Sequence, residues 1–113
     1  MEQEKQLGKI SHVKFGHVGY QECMIGLELT FEGKGWGVGW SMGGWDAEKI
    51  KCDKHCKWTE ADREADYVKI MRFVAKLLKE AKVDDVSKLK NIPVECTMEF
   101  NSLKDWRILE EVL

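Results

Sequence analysis

Proline is almost missing from this chain, with one residue in 113 beside ten glycines, so neither a collagen-like nor a low-complexity polymer fits it. An excess of one charge sign is missing too. Eighteen Lys and Arg stand against twenty Asp and Glu, a formal net charge of -2. Such a chain has no global positive field with which to hold duplex nucleic acid by counterion release, so any polyanion has to be met by a local patch. No apolar run approaches the roughly 18 residues that a spanning helix needs, and residues 1–9 are mostly polar. The expectation is a cytoplasmic protein with no signal peptide, no anchor and no membrane partner. Familiar catalytic and nucleotide signatures do not occur. Gly33-Lys34-Gly35-Trp36-Gly37 opens a strand rather than a helix and so lacks the helix N-terminus that cradles phosphate. There is no Gly-x-Ser-x-Gly elbow and no His-Glu-x-x-His. With no pair of carboxyls placed together by a motif, acid/base catalysis has no basis in the sequence, and a non-enzyme is expected.

What is present is an ordinary globular composition, 43% hydrophobic and 34% charged, in a length that suits a single domain over 1–113. Four cysteines occur, and in a reducing compartment an even count does not imply disulfides. Cys52-Asp53-Lys54-His55-Cys56 gathers two thiols and an imidazole, which is three ligands where a structural zinc wants four. No second pair follows, so no metal and no cofactor are expected. Cys23 and Cys96 sit in strand-like apolar patterns, where a thiol behaves as a small buried hydrophobe.

Residues 9–15 alternate imperfectly, with Ile10, His12 and Lys14 on one face and Lys9, Ser11, Val13 and Phe15 on the other. Gly16-His17-Val18-Gly19-Tyr20 reads as a turn. In residues 23–31 the alternation of Cys23, Ile25, Leu27, Leu29 and Phe31 gives the firmest strand. A hairpin turn at 32–35 leads to a strand with Trp36, Val38 and Trp40 on one face and bare glycines on the other. That bare face either admits a close neighbour or floors a flat ligand.

Thr59-Glu60-Ala61-Asp62 resembles a capping box and starts a helix that runs to about Lys82. Ala61, Ala65, Val68, Met71, Val74, Leu78 and Ala81 form its core stripe. Tyr67, Ile70, Phe73 and Leu77 widen the stripe beyond what one small sheet covers, so Ile70, Phe73 and Leu77 are expected at a subunit interface. Lys69, Arg72, Lys76 and Lys79 line the other side, as a solvated face or a phosphate-binding one. A short helix over 83–89 ends before Pro93, and strands at 94–100 and 106–109 follow, with Val94, Cys96, Met98 and Phe100 turned inward. The order predicts an α+β fold: a mostly antiparallel sheet of five to six strands with one long and one short helix inserted before the last two strands.

Aromatic and glycine density is the remaining feature. Phe15, Tyr20 and Trp36, with Gly16 and Gly19 beside them, are candidates to stack on and enclose a flat ligand, while core packing is the competing use of the same residues. Stacking is worth about 1–3 kcal/mol per aromatic face against the roughly 12 kcal/mol of nanomolar binding, so such a site needs several faces and phosphate contacts together.

Four segments carry a resemblance. They are Val13-Lys14-Phe15-Gly16-His17-Val18-Gly19-Tyr20-Gln21-Glu22-Cys23-Met24-Ile25-Gly26-Leu27, Phe31-Glu32-Gly33-Lys34-Gly35-Trp36-Gly37-Val38, Lys57-Trp58-Thr59-Glu60 and Lys104-Asp105-Trp106-Arg107-Ile108-Leu109. Together they resemble small phage and prophage proteins, identified as the anti-Thoeris sponges, which capture cyclic ADP-ribose isomers made by bacterial TIR-domain defence enzymes. The resemblance implies a phage anti-defence protein in the infected host's cytoplasm that binds a cyclic nucleotide intact. It also implies assembly into a dimer or dimer-based hexamer. It carries Arg107 and Asn91 over as ligand contacts, Arg for stacking and phosphate and Asn for ribose or base edges. It does not single out one stacker among Phe15, Tyr20 and Trp36. For Arg107 a cross-strand pair with Glu95 or Glu99 is the competing expectation. The alternative function is direct inhibition of a host or defence protein through an exposed helix or the Trp-rich strand.

Overall fold

The computed structural model describes residues 3–113. Its elements are β1 (Glu4–Val18), β2 (Met24–Gly33), β3 (Trp36–Trp45), α1 (Glu60–Ala81), β4 (Pro93–Glu99) and β5 (Ser102–Ile108), with 3-10 turns at Tyr20–Glu22, Val86–Leu89 and Glu110–Val112. The strands form one antiparallel sheet in the order β3-β2-β1-β4-β5, curled around α1. This is the expected α+β fold with five strands. The short helix expected over 83–89 is a single 3-10 turn, started by Asp85 accepting from the Ser87 N–H at 2.7 Å.

β1 is longer than its alternation suggests because it serves two neighbours. Residues 4–9 pair with β4 and residues 9–18 with β2, so Gly16 lies opposite Gly26 in the ladder and the turn begins only at Gly19. The imperfect alternation has a cause: a bulge between Ile10 and His12, where Ser11 is the extra residue. Its hydroxyl donates to the Thr30 carbonyl at 3.3 Å. One inserted residue reverses the phase of everything after it. Ile10 therefore shares the core side with Val13, and the two faces read from sequence are exchanged beyond residue 11.

The core joins Ile10, Leu27, Leu29 and Phe31 to Leu77, Ala81, Leu89, Val94, Cys96 and Ile108. α1 begins with the expected capping box: the Asp62 N–H donates to Thr59 Oγ1 at 3.2 Å and the Thr59 N–H to Asp62 Oδ2 at 2.8 Å. Its buried seam is another one, however. Arg63, Ile70, Leu77 and Ala81 are buried, with Tyr67 and Val74 half-buried between them. Ala61, Ala65, Val68 and Met71 point to solvent, Val68 at 51% and Met71 at 65% exposure. Two stripes of equal period overlap on this helix, and the sheet takes the one with the larger side chains. Ile70 and Leu77 are thus buried within the chain, which leaves them little surface for a subunit interface, while Phe73 packs half-buried against the core.

Close approach of α1 to β3 requires Gly44, where a Cβ would stand 2.8 Å from the Tyr67 ring. Tyr67 in turn donates its hydroxyl proton to the Trp45 carbonyl. Phe100 is not inward but sits with Asn101 in the β4–β5 turn, both at positive φ as a two-residue hairpin of that hand needs.

Candidate functional site

Four neighbouring strand spacings of about 4.8 Å would hold the two edges of a flat five-stranded sheet some 19 Å apart. Here the edges meet. Trp106 of β5 lies 5.2 Å from Trp40 of β3 between ring centroids and 4.7 Å from Phe31, and Phe73 of α1 completes the cluster at 5.3 Å from Trp40. Over this seam lies a cleft of about 310 Å³, walled by Trp40, Trp106 and Phe73 and rimmed by Lys76, Glu80, Lys104, Asp105 and Arg107.

The rim is built by a second bulge. Thr97 pairs with Asp105 but Met98 with Leu103, so Lys104 is the extra residue in β5. The bulge lets Leu103 and Trp106, three apart, both reach the core, and it leaves Lys104 exposed on the rim. Lys76 lies within 3.8 Å of Glu80 on an exposed helix face, too loose an ion pair to hold it. Arg107 is differently placed. Its Nε donates to Glu95 Oε1 at 3.1 Å, and Nη1 and Nη2 donate to the two Glu111 carboxylate oxygens at 3.0 and 2.8 Å. The cross-strand pairing with Glu95 is therefore real. These carboxylates, Glu111 first, push the Arg107 guanidinium still further into its charged form.

The other candidate residues do not converge on this cleft. Phe15, 49% exposed, shares an apolar hollow of about 300 Å³ with Ile25, Tyr67, Ile70 and Met71. Gly16 is a ladder residue opposite Gly26. Gly19 has φ of 78° at the turn, and Tyr20 beside it is 74% exposed. The Trp36 ring lies across Gly33, leaving no room for a Cβ there, and packs on the core; at Gly8 a Cβ would meet the Glu32 carbonyl oxygen at 2.6 Å before that ring at 3.0 Å. Asn91, at φ of 74°, anchors the β4 entry, its N–H donating to the Ile10 carbonyl at 2.7 Å. Of the seven residues, Arg107 alone lines the cleft. The bare glycine face of β3 is open at Gly39, where a hollow of about 330 Å³ is lined by Gly19, Glu28, Gly39, Trp40 and Ser41. Its one charge is Glu28, so that floor disfavours an anion.

Four of the five tryptophans have structural partners. Trp36, Trp40 and Trp106 pack on the core, and Trp58 covers the Arg63 guanidinium at 4.8 Å. Arg63 is 3% exposed, donates from Nη2 to the Ile50 carbonyl at 2.8 Å and pairs with Glu60 at 2.9 Å. Its Nε and Nη1 have no hydrogen-bond partner among the described residues, and the Trp58 π face supplies the compensating attraction. Among the described residues no group of three His, Cys, Asp or Glu is gathered to hold a metal, and no helix is long and apolar enough to cross a membrane.

Sequence reasoning missed Lys104 as a site residue and named Lys76 only within a row of four helix cations that were either solvated or phosphate-binding. Neither has a local signal, because both reach the site through the bulge and the curl. The fold and cleft define a curled antiparallel α+β protein with an aromatic-walled, partly basic crevice where its two sheet edges meet. No family model, curated protein or solved structure matches the chain.

Proposed function

We propose that this protein is a sponge, binding a cyclic nucleotide of the cyclic ADP-ribose type in the cleft between β3 and β5 and removing it from solution intact. The observation that carries the reading is the juxtaposition of indole walls with Lys76, Lys104 and Arg107 around one cleft of about 310 Å³. A purine stacks on the exposed part of Trp40 or Trp106, and the two lysines take the pyrophosphate. Glu80 and Asp105 offset part of that charge, and Arg107 is already satisfied by two carboxylates. Affinity therefore rests on stacking more than on Coulomb attraction. As a phage anti-defence device, such a trap has no need of chemistry.

Titrating the protein with cyclic ADP-ribose isomers while following tryptophan fluorescence tests this, with denaturation afterwards to recover the ligand. Saturable quenching with unmodified ligand recovered supports the sponge. No binding, or a ligand returned cleaved, overturns it.

A second reading is direct inhibition of a host or defence protein. It is favoured by the exposed apolar hollow that Phe15 and Met71 share, 49% and 65% exposed, with Val68 at 51% three residues before Met71 on α1. Retained anti-defence activity in a Lys76→Glu, Lys104→Glu protein, lost in Met71→Asp, selects that reading.

A further inference from the structure

The segment between β3 and α1 holds a thiol pair that the proposed cleft does not use. Cys52 and Cys56 are both half-buried and unbridged. The Cys52 thiol donates to the Trp58 carbonyl at 2.9 Å, and Cys56 Sγ folds back onto the backbone on either side of Cys52, accepting from the Asp53 N–H at 3.1 Å and lying 3.8 Å from the Lys51 carbonyl. The Cys56 N–H also donates to the Asp53 carbonyl at 3.1 Å, so both thiols belong to one tight turn. His55 does not join them: its N–H caps Asp53 Oδ1 at 2.8 Å, and no third metal-ligating residue is gathered among the described ones. The remaining thiols are apart, Cys96 at 0% exposure in the core and Cys23 beside the Gln21 carbonyl at 3.6 Å.

We propose that Cys52 and Cys56 form a reversible oxidation site, closed to an intrachain disulfide by a hydroperoxide. The Cys56 thiolate attacks one peroxide oxygen, the O–O bond breaks, and the departing hydroxide takes a proton as water, leaving a sulfenic acid. Cys52 sulfur then attacks that sulfenyl sulfur and expels its hydroxide, which leaves as water with the Cys52 proton. Two thiols are oxidised and one peroxide is reduced to two waters. The order follows from Cys52 being held protonated as donor to the Trp58 carbonyl, its thiol pushed up to about 11, first by the neighbouring Cys56 and then by burial. Closure removes the S–H that Cys52 gives the Trp58 carbonyl, so the state of the pair is felt at the lid over Arg63.

The test exposes the reduced full chain to one equivalent of hydrogen peroxide, then counts thiols with N-ethylmaleimide in denaturant. The count is expected to fall from four to two in a protein of monomer mass. Trypsin, cutting after Lys51, Lys54 and Lys57, should then release Cys52-Asp53-Lys54 joined to His55-Cys56-Lys57, two mass units below their sum, and dithiothreitol should separate them. In Cys52→Ser, dimedone should trap Cys56 as the sulfenic acid. The proposal is overturned if both cysteines stay alkylatable, if they pass singly to sulfonic acids, or if the bond joins two chains. The wild-type peptide map decides this even where a variant fails to fold.

Discussion

Trp40 and Trp106 belong to the two outermost strands of the sheet, yet their ring centroids stand 5.2 Å apart at 72°, edge to face. That contact closes the curl, with Phe31 below and Phe73 of α1 beside it. Trp106 is half-buried but touches Phe31, Trp40 and Phe73 at once, and Trp106→Ala should cost about 2–4 kcal/mol. Urea unfolding measures it; a loss under 1 kcal/mol would show that the edges are held elsewhere.

Leu77 and Met71 lie on one helix and have opposite surroundings, 2% against 65% exposed. Leu77→Asp buries a charge in the core and should leave the chain unfolded at 25 °C, because a whole domain holds only about 5–15 kcal/mol. Met71→Asp should shift stability by no more than about 0.5 kcal/mol. Circular dichroism melts of the two variants check the seam, and equal behaviour would return it to the other stripe.

Gly44 gives the helix its distance from β3. An alanine Cβ would stand 2.8 Å from the Tyr67 ring, and that ring is tied to the Trp45 carbonyl by its hydroxyl. Gly44→Ala should therefore destabilise by about 1–3 kcal/mol. Gly39→Ala, with no atom within 4 Å of its Cβ, serves as the control. A similar loss in both would point to backbone effects alone.

Acid sensitivity has a named source. Hydrogen bonding to Arg107 holds the Glu111 carboxyl down to about 2 from its ordinary 4.5. A carboxyl lowered by folding stabilises fully above its unfolded value and loses that stabilisation as pH falls through the folded one. The window is therefore pH 4.5 down to about 2. Asp46 and Asp85, lowered first by the backbone N–H groups of Glu48 and Ser87, act in the same direction. Glu111→Gln should flatten the fall of Tm across that window, and parallel wild-type and variant curves would remove the pair from the account.

Lys76 and Lys104 carry the charge half of the proposed site. Reversing both should weaken capture of a cyclic ADP-ribose isomer by about tenfold, since two exposed and screened charges together are worth about 1–2 kcal/mol. Both are exposed, so melting should not change. Unchanged affinity would move the ligand out of the cleft.

The local devices were legible in the chain itself. The capping box at Thr59, the alternation of Leu27, Leu29 and Phe31, and the Trp36–Trp40 face all follow from nearest neighbours along the backbone. What could not be read there are the two single-residue bulges, at Ser11 and Lys104, because an extra residue leaves composition and period almost unchanged while turning every later side chain over. The choice between two equally spaced helix stripes, and the meeting of β3 with β5, were decided only when the sheet curled around α1. Residues 66 positions apart became neighbours, and a site assembled from opposite sheet edges leaves no pattern in either strand alone.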